Sequence, residues 1–351
     1  MRWRTLRTFS VNLINTAEQN TTVNDPNKYM HIVARNMQQM LPKITEAVMT
    51  WGVTSVTRAG QAHVMGEPVV IEYMRPNERV IFHTKRDANP FFHLYEIMWM
   101  LDGRRNVSDL VRFNSGMVKY SDDGVTLHGA YGYRWKRHWP MDQIERVVDG
   151  LRKEPTCRRQ LLCMWDPDSD LGKDSKDIPC NIAVGFNLVE NKLNMTVFNR
   201  SNDLVWGALG ADCVHFSVLH EYMSARTGLK QGKMFQVSSN LHIYVSTADK
   251  VTNLGITADP YELGIPVIPL IRKPATFQKE LPIALDIMGT PAIGFTEPFI
   301  KRVFVPMVLA YNAFRVVENK NRFQNALWFV DSMVECDWKL ACTQWIKRRM
   351  K

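Results

Sequence analysis

Between Tyr29 and Val48 the apolar positions Ile32, Val33, Met37, Met40, Leu41, Ile44 and Val48 recur at helical spacing. This predicts a helix interrupted near Pro42. The period then shortens. Val64, Val69-Val70-Ile71 and Val80-Ile81-Phe82 are separated by Gly66-Glu67-Pro68 and Pro76-Asn77, which predicts strand, turn and strand over residues 63–83. Pro90 opens a helix that runs to about Leu101 and stops at Gly103. Residues 104–140 read as a second helix followed by a Gly/Tyr/Trp-rich loop from Gly129 to Trp135. A short amphipathic helix follows over 141–153, then a strand from Arg159 to Trp165. The aspartate-rich stretch 166–178 reads as an exposed loop. Ile182 to Leu188 and Leu193 to Phe198 form a hairpin about Asn191, and 213–227 a buried helix. Phe235 to Val237 and His242 to Val245 are short strands. Prolines break the pattern after about residue 260, and the chain is helix-rich from about Phe299.

The expected fold class is therefore α/β (α+β), with a mixed sheet and a helical C-terminal extension. No repeat or low-complexity tract divides the chain. The expected organisation is a polar N-terminal arm over 1–28, a main body over 29–298, and a helical segment over 299–351 packed on that body. One residue breaks the pattern. Glu96 lies among Phe91, Phe92, Leu94, Ile97, Met98, Trp99 and Leu101, where a carboxylate is costly unless it is paired.

Composition narrows the picture. The chain has 351 residues, 45% hydrophobic and 23% charged, which suits a real core and excludes general disorder. The formal net charge is +9, but the basic residues are scattered, with short clusters at Lys136-Arg137 and Lys347-Arg348-Arg349. Scatter favours small anionic ligands over a nucleic-acid stripe, so direct nucleic-acid binding is not expected. The six cysteines, at 157, 163, 180, 213, 336 and 342, show no zinc-like spacing, so no metal is expected. No segment resembles a signal peptide or membrane span, so a reducing, cytoplasmic setting with free thiols is the default.

The candidate chemistry centres on Cys180, which Pro179 places on a stiff stretch of backbone. Alone, such a thiol reads as a small buried hydrophobe. Its companions change that: Arg158-Arg159 upstream, Asn199-Arg200-Ser201-Asn202-Asp203 downstream, then Gly210-Ala211-Asp212 and His242-Ile243-Tyr244. Arginine forks suit phosphate, a guanidinium stabilises a thiolate, and the buried polar groups suit a planar ring. A nucleoside monophosphate satisfies all three.

The ordered pieces Tyr95-Glu96-Ile97-Met98-Trp99-Met100-Leu101-Asp102-Gly103, Gly129-Ala130-Tyr131-Gly132, Arg158-Arg159, Pro179-Cys180, Asn199 to Leu204 and His242-Ile243-Tyr244 resemble the thymidylate synthase superfamily. The likeness is to its bacteriophage branch, which includes deoxycytidylate and deoxyuridylate hydroxymethylases. It implies a three-layer fold and a pyrimidine deoxynucleoside monophosphate substrate. It further implies 5,10-methylenetetrahydrofolate as co-substrate and a homodimer; a phage enzyme would work in the host cytoplasm. By the resemblance, Cys180 would add to C6 and make C5 nucleophilic towards the one-carbon unit. Arg200, Ser201 and Arg58 would hold the phosphate, with Arg158 and Arg159 supplied by the partner. Asp203 would hold the folate pterin, with Trp99 and Gly207 lining the cofactor site. His242 and Tyr244 would bind the 3′-hydroxyl, Glu96 would order water and protons, and Tyr131 would assist at C5.

Several residues depart from the family's pattern. Asn181 follows the nucleophile where the family commonly has His, Asn199 stands for Gln, and the C-terminus lacks the short apolar closing tail. Asp212 falls where uracil readers carry Asn. Cytosine offers an N4 donor and a bare N3, which a carboxyl sharing a proton with N3 complements. This predicts a deoxycytidylate hydroxymethylase. A deoxyuridylate hydroxymethylase, a pyrimidine C5-methylase and an ordinary thymidylate synthase are the alternatives within the superfamily. A basic nucleic-acid-binding protein is the alternative outside it.

Overall fold

The computed structural model describes residues 30–255, 257–287 and 294–350. The arm expected over 1–28 lies outside the described residues. The chain begins with strand β1 (Met30–Ala34) and helix α1 (Met37–Trp51), where Asn36 caps the helix by accepting from Gln39 N at 2.9 Å. The helix expected from Tyr29 thus starts later. Met30 to Ala34 instead pairs in parallel with β4 (Val69–Tyr73), a tertiary partner that a six-residue period cannot reveal. Nor does Pro42 interrupt α1. It lacks the N–H that would bond the Gln38 carbonyl, and His83 Nε2 contacts that carbonyl at 3.1 Å instead.

β2 (Val53–Thr57) and β3 (Gly60–Val64) form a hairpin. Val80 to Phe82, expected as a strand, is buried without ladder pairing. Its N–H groups go to side chains, Val80 N to Tyr261 Oη at 2.9 Å and Phe82 N to Gln38 Oε1 at 2.7 Å. Helix α2 runs from Pro90 to Leu101 as expected, and Gly103 beyond it has φ +72°. A short α3 (Val107–Val111) precedes α4 (Tyr131–Lys136), so most of the expected Gly/Tyr/Trp-rich loop is helical. A Cβ on Gly132 would lie 1.9 Å from the Met100 carbonyl oxygen, so α4 crosses α2 backbone to backbone.

Next come α5 (Gln143–Lys153), β5 (Leu161–Cys163) and the short α6 (Pro167–Asp170). The stretch 166–178 is not simply an exposed loop. Asp170 is buried and accepts from Arg134 Nη1 at 2.7 Å, with His128 Nε2 at 2.8 Å. The hairpin is β6 (Asn181–Val189) and β7 (Lys192–Asn199), turned through Glu190 and Asn191, both at positive φ. Then follow β8 (Asn202–Asp203), a π-helical turn over Leu204–Ala211, α7 (Asp212–Thr227), β9 (Lys230–Ser238) and β10 (Leu241–Tyr244).

A six-stranded mixed sheet has the order β1-β4-β9-β7-β6-β5, and a four-stranded sheet the order β2-β3-β10-β8. The chain passes from the first to the second at Asn199–Asn202, immediately after the hairpin. This crossing fixes the site. The remaining helices are α8 (Pro274–Leu285), α9 (Val305–Arg315), α10 (Arg322–Asp331) and α11 (Asp337–Arg348). Tyr311 and Trp345 from α9 and α11 pack against Phe91 of α2, with ring centroids 5.3 and 5.4 Å away. One contiguous apolar core joins these helices to the sheet.

Candidate active site

Hairpin register brings the candidate nucleophile Cys180 and Arg200 together. Asn181 opens β6 opposite Asn199, the last residue of β7, so Cys180 and Arg200 are neighbours across the two strand ends. Arg200 N donates to Cys180 O at 3.0 Å, and its guanidinium donates to Pro179 O at 2.8 Å and Ile178 O at 3.1 Å. Arg200 Nη2 lies 3.9 Å from Cys180 Sγ. The guanidinium draws the thiol towards ionisation, but burial outweighs it and pushes the Cys180 thiol up. Arg200 thus acts in the expected direction but does not offset burial.

Behind Cys180 lies a chain of buried polar contacts. Asn181 N donates to Tyr131 Oη at 3.4 Å, and Asn181 Nδ2 donates to Asp212 Oδ2 at 3.0 Å. Asn199 Nδ2 donates to Asn181 Oδ1. Burial pushes the Asp212 carboxyl up, and the facing Glu96 and Asp203 add to this; His215 and Asn181 oppose it. Tyr131 is likewise held well above the ordinary phenol range by burial, with Asp212 and Cys180 contributing. Burial thus favours the protonated form of each.

Asp212 is aimed by the turn before it. Gly210 has φ −103° and ψ −109°, and a Cβ there would lie 2.6 Å from Val205 O, so the break that starts α7 needs glycine. Arg86 Nη2 donates to the same carbonyl at 2.6 Å. Asp203 caps the π-helical turn by accepting from Val205 N at 2.7 Å. Strand pairing sets Asp203 beside His242, and burial favours the neutral form of each, raising the acid and lowering the imidazole. His242 and Tyr244 meet edge to face at 4.9 Å. Arg58 is exposed in the β2–β3 turn, close enough for its charge to act on Tyr244.

Two buried acceptors at the crossing have no partner, Asn199 Oδ1 and Asn202 Oδ1. A Cβ on Gly207 would lie 2.5 Å from the latter, so this glycine keeps the backbone close to it. Trp206 beside it is exposed, with Arg86 5.5 Å from its ring centroid. Open acceptors, a buried acid and an exposed aromatic rim suit a heterocycle with ring N–H groups. Trp99 is buried instead, and its indole donates to Asn106 Oδ1 at 3.3 Å. Ser201 is half-buried between Arg200 and β8.

Arg158 and Arg159 are not brought to Cys180 of the same chain. Leu161 pairs with Gly185, well along β6, and both arginines lie further out still and are exposed. At strand rise they stand roughly 20 Å from their own thiol. Sequence reading left one residue without a role: His215, one helical turn after Asp212, with Nε2 3.0 Å from Glu96 Oε2. The i,i+3 spacing from Asp212 was the available signal; the contact itself needed the packing of α7 on α2.

A thymidylate synthase family model matches residues 39–279. The chain belongs to the thymidylate synthase family. Within that family it is 44% identical over 331 residues to a protein of Pseudomonas phage M6 named deoxyuridylate hydroxymethyltransferase, covering 91% of this chain and 94% of that one. Proteins of the same name from Bacillus phage SP01 and Delftia phage PhiW-14 are 37% and 30% identical over about half of each chain. This thymidylate synthase relative is a one-carbon transferase of the phage hydroxymethylase branch. Among the described residues no helix is long and apolar enough to cross a membrane.

Proposed function

We propose that the chain transfers a hydroxymethyl group to C5 of deoxycytidylate, with 5,10-methylenetetrahydrofolate as one-carbon donor and water as the oxygen source. Asp212 carries this reading. It is buried beside Cys180, and burial favours a proton on its carboxyl. That proton is available to N3 of cytosine while the other oxygen accepts from N4. Sharing it makes C6 more electrophilic. Cys180 Sγ adds to C6 as its proton leaves, and C5 becomes the nucleophile. Tyr131, hydrogen-bonded to Asn181 N, stands beside the thiol to move the C5 proton. Asp203 and the acceptors around Gly207 would hold the folate, which supplies carbon at the oxidation level of formaldehyde. After C5 takes up that carbon and loses its proton, tetrahydrofolate leaves, water adds to the resulting C5 methylene, and Cys180 leaves as C5=C6 re-forms. The folate is not oxidised.

A second reading, hydroxymethylation of deoxyuridylate, is favoured by the names of the phage relatives. A neutral Asp212 can also pair with uracil, accepting from N3–H and donating to O4. Incubation with methylenetetrahydrofolate and each pyrimidine monophosphate, followed by mass analysis, separates the readings. Hydroxymethyl-deoxycytidylate is the expected main product. Turnover of deoxyuridylate alone transfers the assignment to the second reading, and a methylated product from either base removes the hydroxymethyl reading.

A further inference from the structure

Glu96 is the one carboxylate on α2, a helix whose other side chains are all buried. The acids nearest in effect, Asp177 and Asp212, also feel its charge. Facing it from α7 is His215, the basic side chain within ion-pair distance, at 3.0 Å. The two atoms are close but not aligned as a hydrogen bond, and both are buried without a hydrogen-bond partner. Two open polar atoms at this separation need only a small ring rotation, or one bridging water, to exchange a proton. The residue after the nucleophile, Asn181, cannot handle protons, because an amide does not titrate near neutral pH.

We propose that His215 is a positioning residue for Glu96, aiming its carboxylate and taking on the proton that Glu96 removes from the water adding at C5. In that step the water oxygen bonds the C5 methylene carbon, and one water proton passes to Glu96 and on to His215. The methylene π pair moves into the ring and expels Cys180 as thiolate, re-forming C5=C6. The proton returns from the Glu96–His215 pair to the thiol or to solvent, so no oxidant or reductant is needed. Among the described residues, His93 on α2 and Asp212, on the same helix as His215, also interact with its charge. This inference rests on the hydroxymethyl reading.

The test uses tritium at C5 of the nucleotide. Its release reports the steps up to the methylene, and hydroxymethyl-nucleotide reports the water step. In a single turnover with enzyme in excess, His215→Gln and His215→Phe are expected to release tritium within about threefold of wild type while forming hydroxymethyl product at least tenfold more slowly. Added 2-mercaptoethanol should then intercept the methylene as a C5 thioether, and the pH dependence of product formation should flatten in His215→Gln. Tritium release and product formation falling in step, or neither falling, overturns the proposal. A methylated product from the wild-type enzyme would instead sink the hydroxymethyl reading, whatever the variants do.

Discussion

In the proposed reaction Cys180 is the nucleophile and Asp212 the base reader. Cys180 was legible because Pro179 precedes it and polar companions follow in order. The upward push on its thiol was not, because burial depends on packing and here outweighs Arg200. Cys180→Ser should leave nucleotide binding largely intact and cut turnover to less than about a hundredth of wild type. Equilibrium binding and steady-state rates check this, and retention of more activity would remove the covalent role. Asp212 was legible as a departure from uracil readers, although only the structure shows it buried and bonded to Asn181. Asp212→Asn supplies a carboxamide, which suits uracil. The ratio of kcat/KM for deoxycytidylate over deoxyuridylate should fall by at least about a hundredfold, roughly 2.7 kcal/mol of differential stabilisation. An unchanged ratio in a folded variant places base selection elsewhere, with Asn181 the next residue to test.

At the scale of elements, α2, α5, the β6–β7 hairpin and α7 were readable because each is long or strongly patterned. The errors fall where tertiary partners decide. Met30 to Ala34 became strand on meeting β4, and Val80 to Phe82 stayed unpaired because side chains satisfied its backbone. Helix α11 shows what such burial costs. Its first residue, Asp337, accepts from Tyr261 Oη at 2.9 Å, and burial raises its carboxyl to about 6 although Arg79 opposes the shift. The folded chain therefore keeps this proton up to about pH 6, whereas the unfolded chain releases it near the ordinary carboxylate value of about 4. Between those values the folded state binds more protons, so this group's contribution to stability falls as pH rises and levels off above the window. Asp337→Asn, which cannot ionise, should gain on wild type across that window, by up to about 3 kcal/mol. Thermal unfolding at steps from pH 4 to 7 measures the difference, and a constant gap would show that Asp337 is not the group responsible.

The whole molecule raises a question that one chain cannot answer by itself. Arg200 and Arg58 are placed around the Cys180 site, while Arg158 and Arg159 lie roughly 20 Å along the sheet from their own thiol. Exposed arginines that far away cannot touch a nucleotide bound at Cys180 of the same chain. They can reach one bound to a second copy if two chains pack so that β5 of one approaches β6 of the other. The resemblance suggested this sharing from sequence, and the strand register supplies a geometric reason for it. A dimer built this way contains two composite sites, each with Cys180 from one chain and Arg159 from the other. A Cys180→Ser homodimer lacks both nucleophiles, and an Arg159→Ala homodimer lacks a phosphate contact at both sites. In a heterodimer of the two, one site has both defects and the other has neither. Mixed chains, separated by distinct affinity tags, should therefore recover close to half of the wild-type activity per dimer, measured as hydroxymethyl-nucleotide formed. If Arg159 served its own chain, every site in the heterodimer would carry one defect and activity would stay at the level of the inactive parents. That result in verified heterodimers would leave Arg158 and Arg159 as surface residues and the phosphate to Arg200 and Arg58.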